Sequence, residues 1–247
     1  MAHLIDVRLA KLAFGIAAIV MIVLLSACTV TYQFAPIGAT VVDAETGKPI
    51  EGAVVTANWE LVKGSLDGPR YFGQLDVKET VTDKDGRFTF AGFTKEDSSG
   101  AELRESDPQI LVFKAGYEFQ RFTNDYRDGG AGMKLLARTA AVNGKTVRLV
   151  KQVGNKARIR QVHSDLVYSG LSFLTKIMPH TNESEQCYWQ SVPRMLVETR
   201  TQESLMRQMG IDPSSVYENL MANNDQYAAK AKVPCIAPRE LFNGVRK

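Results

Sequence analysis

Glu79-Thr80-Val81-Thr82-Asp83-Lys84-Asp85-Gly86-Arg87-Phe88-Thr89-Phe90 is the stretch that decides the fold class. Two β-rich runs flank a polar cluster that ends in glycine, and Gly86 can supply the positive φ that a type I turn with a bulge requires. The pattern predicts a hairpin. Working outward, Gly38–Asp43 and Ala53–Ala57 flank Ala44-Glu45-Thr46-Gly47-Lys48-Pro49 and predict another strand pair. Gln109–Phe113 and Glu118–Phe122 lie either side of Ala115-Gly116-Tyr117, and Thr146–Val150 supplies a closing strand. Seven short strands with turn signals between them predict an antiparallel β-sandwich over residues 37–151. The connections Trp59–Lys78, 92–108 and 123–144 are longer than a compact sandwich needs. The first is expected to hold an extended hairpin or a mobile loop, and such loops are where binding would reside.

Beyond residue 155 the apolar period changes from two to that of a helix. Ile159, Val162, Leu166, Val167, Phe173, Leu174, Ile177 and Met178 share one helical face, and Pro179 stops the run. This stripe is expected to pack on the sandwich rather than to meet a membrane. Glu183 and Glu185 suit the start of a second helix near Asn182. Pro193 should kink or restart it, and Met195, Leu196, Leu205, Met206 and Met209 carry an apolar face to Gly210. Asp212 before Pro213 is a good N-cap for a short last helix. The expected fold class is therefore β + α, a seven-stranded antiparallel β-sandwich followed by a small α-helical region over residues 155–247.

The N-terminus carries an address. Arg8 and Lys11 precede an uncharged run from Leu12 to Leu25, the charged and apolar parts of an export leader. As a helix that run would span roughly 21 Å, short of the roughly 30 Å hydrocarbon core. Leu25-Ser26-Ala27-Cys28 resembles the lipobox of bacterial lipoproteins. The resemblance implies cleavage of residues 1–27, acylation of Cys28 with palmitate-type chains, and a lipidated tether over residues 28–36. An uncleaved anchor is the alternative. Residues 29–36 could extend at most roughly 28 Å, so the first domain must sit close to the bilayer. In that family an aspartate after the cysteine marks inner-membrane retention; here the position is Thr29, which implies the outer membrane, facing the periplasm.

A second resemblance concerns the body. Gly38, Val41, Asp43, Thr46-Gly47-Lys48-Pro49-Ile50, Gly52-Ala53-Val54-Val55, Thr82-Asp83, Gly86-Arg87-Phe88 and Lys114-Ala115-Gly116-Tyr117 look like the carboxypeptidase regulatory-like domain. That resemblance implies a prealbumin-like (transthyretin-like) sandwich and speaks to fold rather than to function.

The chain carries a net charge of +3; removing Asp6, Arg8 and Lys11 with the leader leaves +2, too balanced to argue for nucleic acid. Of the three cysteines, Cys28 belongs to the lipobox, which leaves Cys187 and Cys235. In an exported protein these are expected to form a disulfide, worth roughly 4 kcal/mol on the chain-entropy model. The alternative, a reactive thiol pair, lacks Cys-x-x-Cys spacing.

No catalytic set assembles in the sequence, and no metal or cofactor is expected. His180 and Glu183 read His-x-x-Glu, the zinc pair of metallocarboxypeptidases, yet no histidine follows His180 to complete the ligands. Asp83, Asp85 and Gly86 mimic the opening of a calcium loop, but Thr94 stands at the twelfth position, where a glutamate is required. The neighbours His163, Ser164 and Asp165 point in different directions on a helix and lack a nucleophile turn. Tyr71, Phe72, Tyr117 and Tyr126 are candidate ligand-binding residues, although the same residue types serve sandwich cores. The function expected is that of a membrane-anchored envelope lipoprotein with a non-catalytic interaction or structural role, its partners the membrane and envelope proteins or glycans. A carbohydrate- or peptide-binding module is the second reading, and a hydrolase the third.

Overall fold

A computed structural model describes residues 29–124, 139–171 and 187–213, with the single positions 174, 215, 218, 236 and 240. It is mostly β-sheet with a small helical part. The strands are β1 (Val30–Phe34), β2 (Ile37–Asp43), β3 (Val54–Lys63), β4 (Arg70–Val81), β5 (Arg87–Phe90), β6 (Phe93–Asp97), β7 (Glu102–Leu103), β8 (Gln109–Phe113), β9 (Gln120–Phe122) and β10 (Thr146–Leu149). The helices are α1 (Lys156–Asp165), continued by a π turn over Leu166–Leu171, and α2 (Pro193–Gln208), preceded by a 3-10 turn at Tyr188–Ser191.

The strands form three sheets. One has the order β4-β3-β8-β9 with β7 also on β3, a second β10-β2-β5, and a third pairs β1 with β6. Each of the seven expected strands is present, and three more, β1, β6 and β7, raise the count to ten among the described residues. The all-antiparallel expectation fails at one pair, since β10 runs parallel to β2, with Val147 opposite Val41. The long connection over residues 123–145 removes the hairpin constraint and lets the chain enter that edge in either direction.

The expected hairpin around Asp83–Gly86 is also corrected. The turn is there: the Asp83 and Arg87 backbones bond at 2.9 Å, and Gly86 adopts φ 71° where an added Cβ would come within 2.3 Å of the Val41 carbonyl oxygen. Yet β4 and β5 lie in different sheets, because β5 pairs with β2 instead. Thr82 marks the crossing. Its buried hydroxyl accepts from the Ala53 N–H at 2.8 Å and donates to the Ile50 carbonyl at 2.6 Å, and its backbone stays bonded to Ala53 and Gly52, which ties the end of β4 to the segment before β3 as the chain leaves the sheet. The pair β2 and β3 divides between sheets in the same way, whereas β8 and β9 form the expected hairpin.

Within the stretch expected as a lipidated tether, residues 30–34 form a strand. Val30–Phe34 pairs antiparallel with Phe93–Asp97, and Phe34 is buried at 5% exposure with its ring 5.3 Å from that of Trp59 and 4.5 Å from that of Phe93. Alternate apolar residues gave this segment a face to bury. Trp59–Lys78 is the extended hairpin of the expectation: β3 and β4 stay paired out to Lys63 and Arg70.

The main core draws on both larger sheets. Val41, Phe88, Val147 and Leu149 contribute from one, and Val55, Ala57, Trp59, Ile110 and Val112 from the other. The opposite face of β3 and β8 is covered by the helical region: Val54, Leu111 and Phe113 pack with Leu166, Leu171, Leu174, Trp189, Met195 and Leu196. The helical region therefore completes a second core on the first domain's sheet. The Asn155 side chain caps α1 by accepting from the Arg158 N–H at 3.0 Å. At the end of α2, Gly210 takes φ 68° and Ile211 donates back to the Met206 carbonyl at 2.9 Å, the left-handed close that glycine favours. Phe173, Ile177, Met178 and the expected helix starts at Asn182 and after Pro213 fall wholly or mostly outside the described residues.

Candidate functional site

The outer face of β3 changes character along its length. Val54 sits under the helices, but Thr56, Asn58 and Glu60, the next three positions on that face, are polar and fully buried. Burying such groups costs free energy unless they are bonded. Asn58 donates from Nδ2 to Glu60 Oε1 at 3.2 Å, Gln74 donates to Asn58 Oδ1 at 3.3 Å, and Arg104 meets Glu60 Oε2 at 2.7 Å.

A second carboxylate enters from the loop after β7. Asp107, also fully buried, accepts the Glu60 N–H at 2.5 Å, while the Arg104 N–H donates to the Glu60 carbonyl at 2.8 Å. The reason lies in the strand. Between Asn58, the last β3 residue paired with β8, and Leu61, paired with β7, β3 has no strand on this side. The loop supplies the missing donor and acceptor for Glu60, as buried backbone groups require. Burial pushes the Asp107 carboxyl up to about 7; the Glu60 charge adds to this, and the Glu60 N–H, Arg104 and Gln109 partly oppose it.

Two other carboxylates are placed as firmly. Glu79 on β4 accepts the Arg194 N–H at 2.9 Å and the Met195 N–H at 2.7 Å. Val192, at the N-cap of α2, makes no side-chain cap, so the strand supplies the cap that the helix sequence lacks. Burial raises the Glu79 carboxyl to about 7 against the pull of those N–H groups and of Arg194. Asp43, at the end of β2, accepts from Glu45 N, Thr46 N and the Thr46 hydroxyl, and from the Tyr117 hydroxyl at 3.0 Å, with Lys151 Nζ at 3.4 Å. The Thr46 N–H above all, with the two hydroxyls and Lys151, holds the Asp43 carboxyl well below its usual range despite its burial. The same contact raises the Tyr117 hydroxyl, after desolvation, and the Lys151 ammonium.

The candidate ligand-binding residues are dispersed. Tyr71 pairs opposite Val62, and Phe72 beside it is 45% exposed with Lys63 Nζ 3.8 Å above its ring. Tyr117 packs against the main core at the β8–β9 turn and spends its hydroxyl on Asp43. That turn adjoins Phe113, opposite Val54, so β3 separates the two aromatic groups by about 26 Å at its usual rise per residue. They do not form one groove, and Tyr126 lies outside the described residues. His163 is buried on α1. Cys28, His180, Glu183 and Cys235 lie outside the described residues, among which no three His, Cys, Asp or Glu side chains cluster to hold a metal. No described helix is long and apolar enough to cross a membrane.

Sequence reasoning missed the Glu60–Asp107 pair. The signal was present as polar residues at 56, 58 and 60 alternating with Ala57, Trp59 and Leu61, a pattern ordinarily read as a solvated face.

No family model matches the chain, and no curated protein does. Among solved structures, the C-terminal domain of a shaft pilin from Lactobacillus rhamnosus GG is 15% identical over 50% of this chain and 99% of its own, with TM-score 0.23. A streptococcal ancillary pilin is 17% identical over 50% of this chain and 31% of its own, TM-score 0.24. A 3-chlorocatechol 1,2-dioxygenase from Rhodococcus opacus 1CP is 16% identical over 49% and 59%, TM-score 0.26. Superpositions this loose, onto two pilins and an enzyme alike, carry no argument about what this chain does.

Proposed function

We propose that this chain is a bacterial envelope lipoprotein, cleaved after Ala27 and acylated at Cys28, whose β body serves as a non-catalytic interaction or structural module on the periplasmic side of the outer membrane. One observation carries the non-catalytic reading: among the described residues, each strongly perturbed carboxylate is bonded to backbone N–H groups that hold the fold. Asp43 closes a turn, Glu79 caps α2, and Asp107 replaces a missing strand partner. Perturbed groups of this kind mark catalytic sites only when they face a substrate. Leu25-Ser26-Ala27-Cys28 after an uncharged run supports the anchor. The main core, drawn from two sheets, supports a prealbumin-like sandwich.

The same reading pairs Cys187 with Cys235. Cys187 is buried, at 2% exposure. The N–H of Ile236, next to Cys235 in sequence, donates to Gln190 Oε1 at 2.6 Å, three residues from Cys187.

Growth of cells expressing the chain with an alkyne fatty acid tests the anchor. The wild type is expected to take the label and to fractionate with membranes, and Cys28→Ser to lose both. A mature wild-type protein that keeps Met1 and carries no fatty acid overturns the proposal.

A further inference from the structure

The β3–β4 hairpin ends in a protruding tip. Beyond β7, which reaches Val62, only the pair Lys63–Arg70 continues the ladder. Leu66 at the tip is fully exposed, at 107%, whereas Phe72 lies on the body side of the Lys63–Arg70 pair with Lys63 Nζ over its ring. A large apolar side chain held wholly in water by an ordered hairpin makes no contribution to the core.

The first strand leads to the same end of the molecule. Phe34 lies level with Trp59, at 5.3 Å between rings. Two residues earlier, the Tyr32 hydroxyl donates to the Ala101 carbonyl at 3.5 Å, and Ala101 adjoins Glu102, which pairs with Val62. Going backward along β1 therefore advances along β3 toward the tip. Val30 lies two residues further on, and Cys28 follows within about 7 Å of chain. No slack tether intervenes, because the residues that could have formed one are in β1.

We propose that Leu66 at the hairpin tip inserts into the surface of the phospholipid bilayer beside the acyl chains on Cys28, giving the protein a second membrane contact and a set orientation. The inference rests on acylation of Cys28. Lys63 and Arg70 stand at the base of the tip, where they can meet lipid phosphates once Leu66 is inserted, and Arg70 is paired with Asp67 at 2.6 Å. Asp97 and Glu102 lie at this end as well, so insertion is driven by apolar area rather than by net charge. A single small apolar contact binds a bilayer weakly by itself. The lipid raises its effective concentration at the surface.

The test uses the acylated full chain in phosphatidylethanolamine and phosphatidylglycerol vesicles, with Leu66→Trp as reporter and Lys84→Trp, on the turn at the opposite end of β3, as control. Both replaced positions are exposed, so neither change disturbs the fold. The tryptophan at 66 is expected to shift to the blue and to be quenched by brominated acyl chains, while that at 84 stays solvent-like. A vesicle-bound chain whose residue-66 signal stays solvent-like and unquenched overturns the inference and leaves the anchor reading standing; so does equal quenching at both positions. A chain with no acyl group overturns the anchor reading and the inference with it.

Discussion

The two faces of β3 meet opposite demands with the same backbone. Inward, Val55, Ala57, Trp59 and Leu61 fill a volume between sheets, and any side chain of suitable size and apolarity would serve. Outward, Asn58 and Glu60 are no less buried, yet their placement depends on particular partners at particular distances. The inner face is held by area removed from water, which tolerates displacement; the outer face is held by directional bonds, which do not. Conformational specificity in this molecule therefore comes disproportionately from its polar half.

The largest effect should come from the inner face. Trp59→Ala removes the ring against which Phe34 packs at a tilt and Phe93 packs edge-on and is expected to cost about 3–5 kcal/mol, measured by urea unfolding. Because β1 and β6 lean on that ring, their amide exchange should accelerate more than that of β8. Equal acceleration throughout would dissolve the distinction between the faces.

Next comes the outer face, read through pH. Asp107 and Glu79 both titrate near 7 in the folded protein, against 3.8 and 4.5 ordinarily. Between about pH 4 and 7 the folded chain thus retains protons that the unfolded chain has lost, and stability must fall as pH rises through that window. Asp107→Asn, whose amide oxygen can still accept the Glu60 N–H, should flatten much of this slope in Tm against pH, and adding Glu79→Gln should remove most of what remains. An unchanged slope in the double variant would show that these carboxyls titrate normally. The opposite sign applies to Asp43, whose contribution is lost as pH falls below the ordinary carboxylate range.

The smallest effect tests the clasp between β4 and α2. Glu79→Ala removes the helix cap and should cost about 1 kcal/mol, with faster exchange at the Arg194 and Met195 amides and little change in β5. Loss of the whole helical region in that variant would make the cap more important than its two hydrogen bonds warrant.

All seven expected strands were legible because each alternates or carries β-branched and aromatic residues between turn signals. The turn at Asp83–Gly86 was legible for the same local reason. Which strand each would pair with was not: Thr82, read as the end of a hairpin arm, proved to be the residue that carries the chain from one sheet to the other. The Glu60–Asp107 pair was hidden in another way. Alternation reports a difference between two faces, and a face of polar residues satisfied by a distant loop has the same period as one satisfied by water.

From the sequence by itself come the β-then-α order, the turn glycines, a kink or restart of the helix at Pro193 and its close at Gly210, all consequences of side chains acting on their own stretch of backbone. The partition of strands between sheets, the capture of Val30–Phe34 by β6, the cap on α2 and the burial of Glu60 were decided only in three dimensions. Each depends on a contact between residues far apart in the chain, and the free energy of such a contact exists only once the rest of the fold has brought the two sides together.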